Sequence, residues 1–176
     1  MQDRAFAERG QFIATMRGVA ASVAVVTTDG PAGRHGATVT AFSSVSADPP
    51  TVLVCLHAES RIARQVSENA RFCVNILPAA LPEVADRFAG RDDHRIEDRF
   101  SGIDCYGPPG QPPMIDGATA FCCDLDTSLR SGSHLVLLGH VREVLDAGTE
   151  PLAYCDGAYR RVLPRELQDM GSRMNG

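Results

Sequence analysis

Apolar positions near the amino-terminal end of the chain recur at helical spacing. In AFAERGQFIATMRGVA, Phe6, Phe12, Ile13, Met16 and Val19 fall on one face, predicting a short amphipathic helix. The period then changes to two. SVAVVTT is β-branched, DGPAG after it is a turn signal, and RHGATVTAFSSVS returns as a partner strand, so a hairpin is expected. Pro49 and Pro50 end that strand because proline gives a ladder no N–H, and TVLVCLH then begins a run that is apolar on both faces, as in a central barrel strand. Ser60 is placed to cap a helix through RIARQVSENA, RFCVNIL follows as a strand, and a second short helix from Leu81 to Phe88 ends at Gly90. The Pro- and Gly-rich stretch from Arg91 to Gly117 predicts loops. Beyond it, ATAFCCDLDTSL and HLVLLGHVREVLD flank RSGS as a second hairpin. Hairpins in succession, with helices inserted between some strands and no βαβ units, predict a mainly β fold built on a small antiparallel barrel.

One strand departs from the usual pattern. In GATVTAFSSVSADPP, Ala37, Val39, Ala41, Ser43 and Val45 share one face, and Thr38, Thr40, Phe42, Ser44 and Ser46 share the other. A half-buried strand ordinarily sets large apolar residues against charged ones, yet no Asp, Glu, Lys or Arg occurs between Arg34 and Asp48. A polar but uncharged partner is expected against that face.

Length and charge narrow the function classes. With 176 residues and 18.8 kDa the chain fits one domain with a substantial core. A net charge of -5 with scattered basic residues argues against nucleic acid as a partner. MQDRAFAERGQF has no apolar leader segment and the stretch VAASVAVV is too short to span a bilayer, so no membrane association and a cytoplasmic location are expected. The six cysteines show no C-x-x-C pair and no finger-like spacing with histidine, and Cys55, Cys73, Cys122 and Cys123 lie in strand-like runs; they predict reduced thiols and no metal site. Glycines at 30, 33 and 36 join two strands rather than a strand and a helix, which excludes a Rossmann fingerprint.

Two places carry candidate chemistry. Ser60, Arg61 and Arg64 stand at a predicted helix start, where amides, a hydroxyl and guanidinium groups can meet a phosphate; a plain capped helix with solvated arginines accounts for them equally. His134 opens a strand after Gly132 and Ser133, and is either a surface hairpin residue or a site residue. His35, His57, His94 and His140 show no ligand spacing, and no nucleophile elbow or acid/base pair is evident.

The series GATVTAFSSVSADPPTVLVCL, ESRIARQVSENARFCVNIL, ADRFAG, PPMIDGATAFCCDL, SGSHLVLLGHV and PLAYCDGAYR resembles the short-chain flavin reductases, the reductase components of two-component flavin monooxygenases. The resemblance runs from about residue 12 to residue 163 of a single domain, leaving 164–176 as a tail. It implies a split β-barrel of the FMN-binding type, a homodimer, FMN (FAD in some members) as flavin, NADH or NADPH as reductant, and a monooxygenase as recipient. It further implies that Thr38, Val39, Thr40, Ala41, Phe42, Ser43 and Ser44 lie along the flavin ring, that Ser60 and Arg61 hold its phosphate, and that Leu56 and Phe88 border it. His134 and Tyr159 are the candidates for contacts to the nicotinamide half. Ser133 departs from the family's Gly-Asp-His, where the middle position is an aspartate. A flavin carrier of the same fold without NADH oxidase activity, or a ligand-sensing barrel, are the competing functions.

Overall fold

In the computed structural model, which describes residues 6–164, the first helical pattern becomes α1 (Arg9–Arg17). The Glu8 carboxylate caps it, accepting from the Gly10 and Gln11 amides at 2.7 and 2.6 Å. No residue of α1 is buried, and Phe12 remains 60% exposed, so the predicted apolar face stays largely uncovered, lining a groove with Thr40, Ala41 and Tyr154.

The chain continues through β1 (Ala21–Ser22), β2 (Ala24–Thr28), β3 (His35–Val39), β4 (Phe42–Ala47) and β5 (Pro50–His57). After α2 (Arg61–Asn69) come β6 (Arg71–Ile76), α3 (Pro82–Phe88), and two-residue strands β7 (Cys105–Tyr106) and β8 (Met114–Ile115) within the predicted loop region. Two long strands follow, β9 (Thr119–Ser131) and β10 (His134–Leu145), and the hairpin of β11 (Leu152–Cys155) and β12 (Ala158–Arg161) closes the described chain.

Seven strands form one antiparallel sheet in the order β3-β2-β6-β9-β10-β5-β4. Its two edge strands are neighbours in sequence. The single strand expected across residues 36–46 is therefore two: β3 pairs with β2, β4 pairs with β5, and Thr40 and Ala41 carry the chain from one edge to the other. Period-two reading missed the break because Thr40 and Ala41 continue the alternation without a glycine or proline to mark it. Ala37 and Val39 from one edge and Phe42 from the other pack on the same core, with Val26, Val54, Phe72, Val74 and Leu137, and this curls the sheet into the split barrel.

Alternation along β2 builds a second core. Ala24 and Val26 face the barrel interior, whereas Val23 and Val25 join Leu77, Val84, Phe88, Ile115 and Leu152 beneath α3 and the small β1-β11-β12 sheet. Between them, buried Asn75 is satisfied: its amide nitrogen reaches Val25 O and Thr27 Oγ1, and its oxygen accepts from Ile115 N at 2.8 Å. Helix α2 lays Ile62, Ala63 and Val66 on the barrel core, while Asn69 accepts from Ala32 N and donates to Thr28 Oγ1, pinning the β2–β3 turn. Gly139 is required by packing, since a Cβ there would stand 2.4 Å from Phe72. All six cysteines are free, and Cys73 and Cys122 oppose each other across β6 and β9 with sulfurs 3.1 Å apart. Among the described residues no helix is long and apolar enough to cross a membrane.

Candidate active site

The crossing from β3 to β4 forms one wall of a groove of about 340 Å³. Ala37 to Ala41 line that wall, Cys55, Leu56 and His57 come from β5, Ser60 and Ile62 from the start of α2, and His134 from β10. No Asp, Glu, Lys or Arg is among them. The structure thus brings together Thr38, Val39, Thr40, Ala41, Leu56, Ser60 and His134 of the residues singled out in sequence.

The remaining residues lie elsewhere. Phe42 turns inward, its ring 5.8 Å from that of Phe121, and Ser43 and Ser44 are exposed on edge strand β4, outside the groove lining. Thr38 reaches the groove, but its hydroxyl donates to Ala85 O at 2.7 Å, whereas the Thr40 hydroxyl in the same wall has no hydrogen-bond partner among the described residues. Phe88 does not border the groove: it is fully buried, edge-on to Phe100 at 4.9 Å, and packed so closely on Gly36 that a Cβ there would sit 2.7 Å from its ring. It supports β3 from behind. Tyr159 is also away from the groove lining, donating to Asp86 at 2.6 Å with its pKa pushed up to about 12 by burial and that carboxylate. Sequence order alone could not separate these residues from the site, because which side of β3 meets α3 is set by tertiary packing.

Backbone supplies further donors. Ala41 O accepts from Cys55 N and Thr40 O from Phe42 N, whereas neither the Thr40 nor the Ala41 amide donates to another described residue. At the edge change the ladder lapses, and two N–H groups of groove-lining residues are left unpaired among the described residues.

At the groove's other end Ser60, extended at φ -75° and ψ 152°, caps α2: its Oγ accepts from Ala63 N and donates to His57 O at 2.6 Å. Arg61 opens onto an adjoining groove of about 790 Å³ shared with Arg34, His35 and Arg99 and with the carboxylates of Asp93, Glu97 and Asp98. Arg34 pairs with Asp98 at 2.8 Å and Arg99 with Asp93 at 2.6 Å, while Arg61 has no carboxylate within ion-pair distance among the described residues. Arg61 is therefore an uncompensated cation at a helix start, as is Arg64 in the same first turn, where amides and the helix dipole favour an anion. His35, set aside on sequence, borders it; burial first, then Arg99 and Arg61, lower its pKa to about 4, so it is neutral.

His134 faces a second imidazole that sequence spacing also passed over. His57 and His134 are register partners on β5 and β10, their rings 5.6 Å apart and edge to face. Ser133 Oγ lies 3.0 Å from His134 Nδ1, so the departure from aspartate keeps a hydrogen-bonding partner on that ring.

An uncharged slot with free amides along one wall, ending at a capped helix start with an unpaired arginine, fits a planar polar ring system carrying a phosphate. The same conclusion comes from comparison with known proteins, since residues 16–163 match the flavin reductase like domain. The chain belongs to the flavin reductase like family. Within it, an FMN reductase (NADH), RutF 2 of Methylorubrum extorquens (strain PA1), is 40% identical over 152 residues, covering 85% of this chain and 87% of that one. The NADH:FAD oxidoreductase SgcE6 of Streptomyces globisporus C-1027, solved with NAD and FAD fragments, superposes with a TM-score of 0.80 at 27% identity, over 90% of this chain and 94% of its own. The nitrilotriacetate monooxygenase component B homolog of Mycobacterium thermoresistibile gives 0.80 at 28% identity, over 90% and 88%. This flavin reductase like chain shares their barrel, and its groove falls at the β3–β4 edge change.

Proposed function

We propose that this chain is an NADH-dependent flavin reductase acting on FMN and passing reduced flavin to a monooxygenase. The observation that carries this reading is the uncharged groove ending at Ser60 and the unpaired Arg61. A dinucleotide reductant and a flavin bound together supply the hydride transfer, from nicotinamide C4 to flavin N5, through their own chemistry.

The protein's part is positioning. Arg61 and the amides at the start of α2 hold the phosphate, and the Thr40 and Ala41 amides orient the ring's polar edge. Leu56 and Ile62 keep water from one wall. His134, with Ser133 on its Nδ1, places the nicotinamide. Holding two rings in register makes an encounter of two solutes effectively unimolecular, so no acid/base pair is needed. FMN is favoured over FAD by the FMN reductase relative, and NADH over NADPH by the same name.

A homodimer belongs to this reading. The uncovered apolar face of α1, together with Leu129 and Val144 on the long hairpin, 63% and 56% exposed, supports burial against a second copy. A single domain over 1–176 and a cytoplasmic location, where the NADH pool lies, complete it; the tail expected from residue 164 lies, from 165 on, outside the described residues. The test is a steady-state assay of NADH and NADPH with FMN, FAD and riboflavin. FMN-dependent loss of nicotinamide absorbance is expected, and none with any flavin would refute the reading.

A further inference from the structure

We propose that His57 is a second nicotinamide-positioning residue, forming with His134 a pair of imidazole donors for acceptor oxygens of the bound dinucleotide. This rests on the reductase reading and adds a residue to it. His57 and His134 stand opposite each other in the β5–β10 ladder, and both line the groove. Each ring has its Nδ1 engaged locally. The Glu59 amide donates to His57 Nδ1 at 3.3 Å, which puts the proton of the neutral ring on Nε2. The Ser133 hydroxyl lies against His134 Nδ1 at 3.0 Å and, donating there, leaves His134 with the same tautomer. Each ring then carries an Nε2–H, with the two rings edge to face at 5.6 Å between centroids.

The pair is held as a unit. Ala58 N donates to Ser133 O at 2.9 Å, Arg130 bridges to Glu59 at 3.0 Å, and the His57 carbonyl accepts from both the amide and the hydroxyl of Ser60. The turn carrying His57 is thus tied to the β9–β10 turn carrying His134 on one side and to the cap of α2 on the other. The Thr38 and Ser60 hydroxyls are already committed, so the side-chain donors left in the groove are the two imidazoles and the Thr40 hydroxyl, and of these the imidazoles form the facing pair. A carboxamide or diphosphate offers the acceptor oxygens that such a pair needs. Cys55 and Leu56 beside them offer no comparable donor.

The test is calorimetric titration of NAD⁺ into FMN-saturated protein, with FMN affinity measured separately by flavin fluorescence. His57→Ala should weaken NAD⁺ about tenfold, the cost of one hydrogen bond, and leave FMN affinity within twofold. His57→Gln, which keeps an N–H at similar reach, should recover most of the loss. The double variant with His134→Ala should lose less than the product of the two single effects, as for donors sharing one ligand. Unchanged NAD⁺ affinity in His57→Ala overturns the proposal, as does an equal loss for FMN and NAD⁺ that glutamine fails to rescue. If the unsubstituted protein oxidises NADH with FMN while His57→Ala binds NAD⁺ normally, only the His57 role falls; if the unsubstituted protein shows no such oxidation, the reductase reading falls with it.

Discussion

The hydroxyl of Ser60 donates to the carbonyl of His57 at 2.6 Å while accepting from the Ala63 amide, so one side chain both ends a strand and starts a helix. Ser60→Ala should cost about 1 kcal/mol, the usual value of an N-cap, and lower Tm by roughly 2–4 °C for a chain of this size. FMN affinity should fall as well, because the same turn sets the start of α2. Thermal melts with and without FMN measure both, and an unchanged Tm would remove the capping role.

Arg61 has no competing carboxylate partner among the described residues, so its substitution should be felt through the ligand. Arg61→Ala should weaken FMN by about 1.5–3 kcal/mol, the range for a hydrogen bond to a charged group, and leave riboflavin nearly unaffected. Fluorescence titrations of the two flavins decide it; parallel losses would mean that Arg61 does not meet a phosphate.

For His134 the expected signature is in the reductant. His134→Ala should raise KM for NADH roughly tenfold, equivalent to about 1.4 kcal/mol, with FMN affinity constant. Ser133→Asp, tested alongside, exchanges a hydroxyl that can donate to His134 Nδ1 for a carboxylate that only accepts from Nδ1–H: a raised KM for NADH is expected, since the neutral ring then has no proton left on Nε2. Initial rates across NADH concentrations provide the check, and a flat response to His134→Ala would withdraw that residue from the site.

Phe88 separates support from contact. Fully buried against Phe100 and Gly36, it should cost about 3–5 kcal/mol when truncated to alanine. Denaturant unfolding should show this loss, whereas at low temperature the folded variant should bind FMN within a few-fold of the parent. Normal stability with lost FMN binding would instead place the ring at the ligand.

His35 predicts an acid-side effect whose sign follows from its depressed pKa. Its native value is about 4 against 6.5 for the ordinary imidazole, so on acidification the unfolded chain takes up a proton that the native one refuses. The stabilisation is complete above 6.5 and is lost as pH falls toward and through 4, with Arg99, Arg61, Asp93 and Asp98 the charged groups around the ring. Partial exposure keeps it modest. His35→Gln should flatten the stability profile in that window, read by urea unfolding at several pH values; identical slopes would show that His35 does not carry it.

Much of this was legible in the chain itself. Ser60 as a cap, the RSGS hairpin and the apolar TVLVCLH strand follow from local chemistry, and α2, β9–β10 and β5 form where those signals fall. What escaped depends on partners distant in sequence. Nothing in AFSS says that residues 40–41 leave one sheet edge for the other, and nothing in VCLHAES says that His57 meets His134, 77 positions on, because register is fixed by the whole ladder. Phe88 misled for a related reason: an aromatic near a predicted ligand segment is indistinguishable, before packing is known, from one that props that segment from the far side.

The edge change at Thr40–Ala41 has a consequence for how cofactor and fold depend on each other. A barrel whose first and last strands are successive in the chain is fastened there by a peptide hinge instead of by rungs, and that seam is where the unpaired amides lie. A ligand bound along it stitches the two edges together from outside the chain. Its binding energy then adds directly to resistance against unfolding, about 2.7 kcal/mol at a concentration one hundred times Kd. Amide exchange at residues 40 and 41 should accordingly be fast in the empty protein and slow sharply once flavin is present.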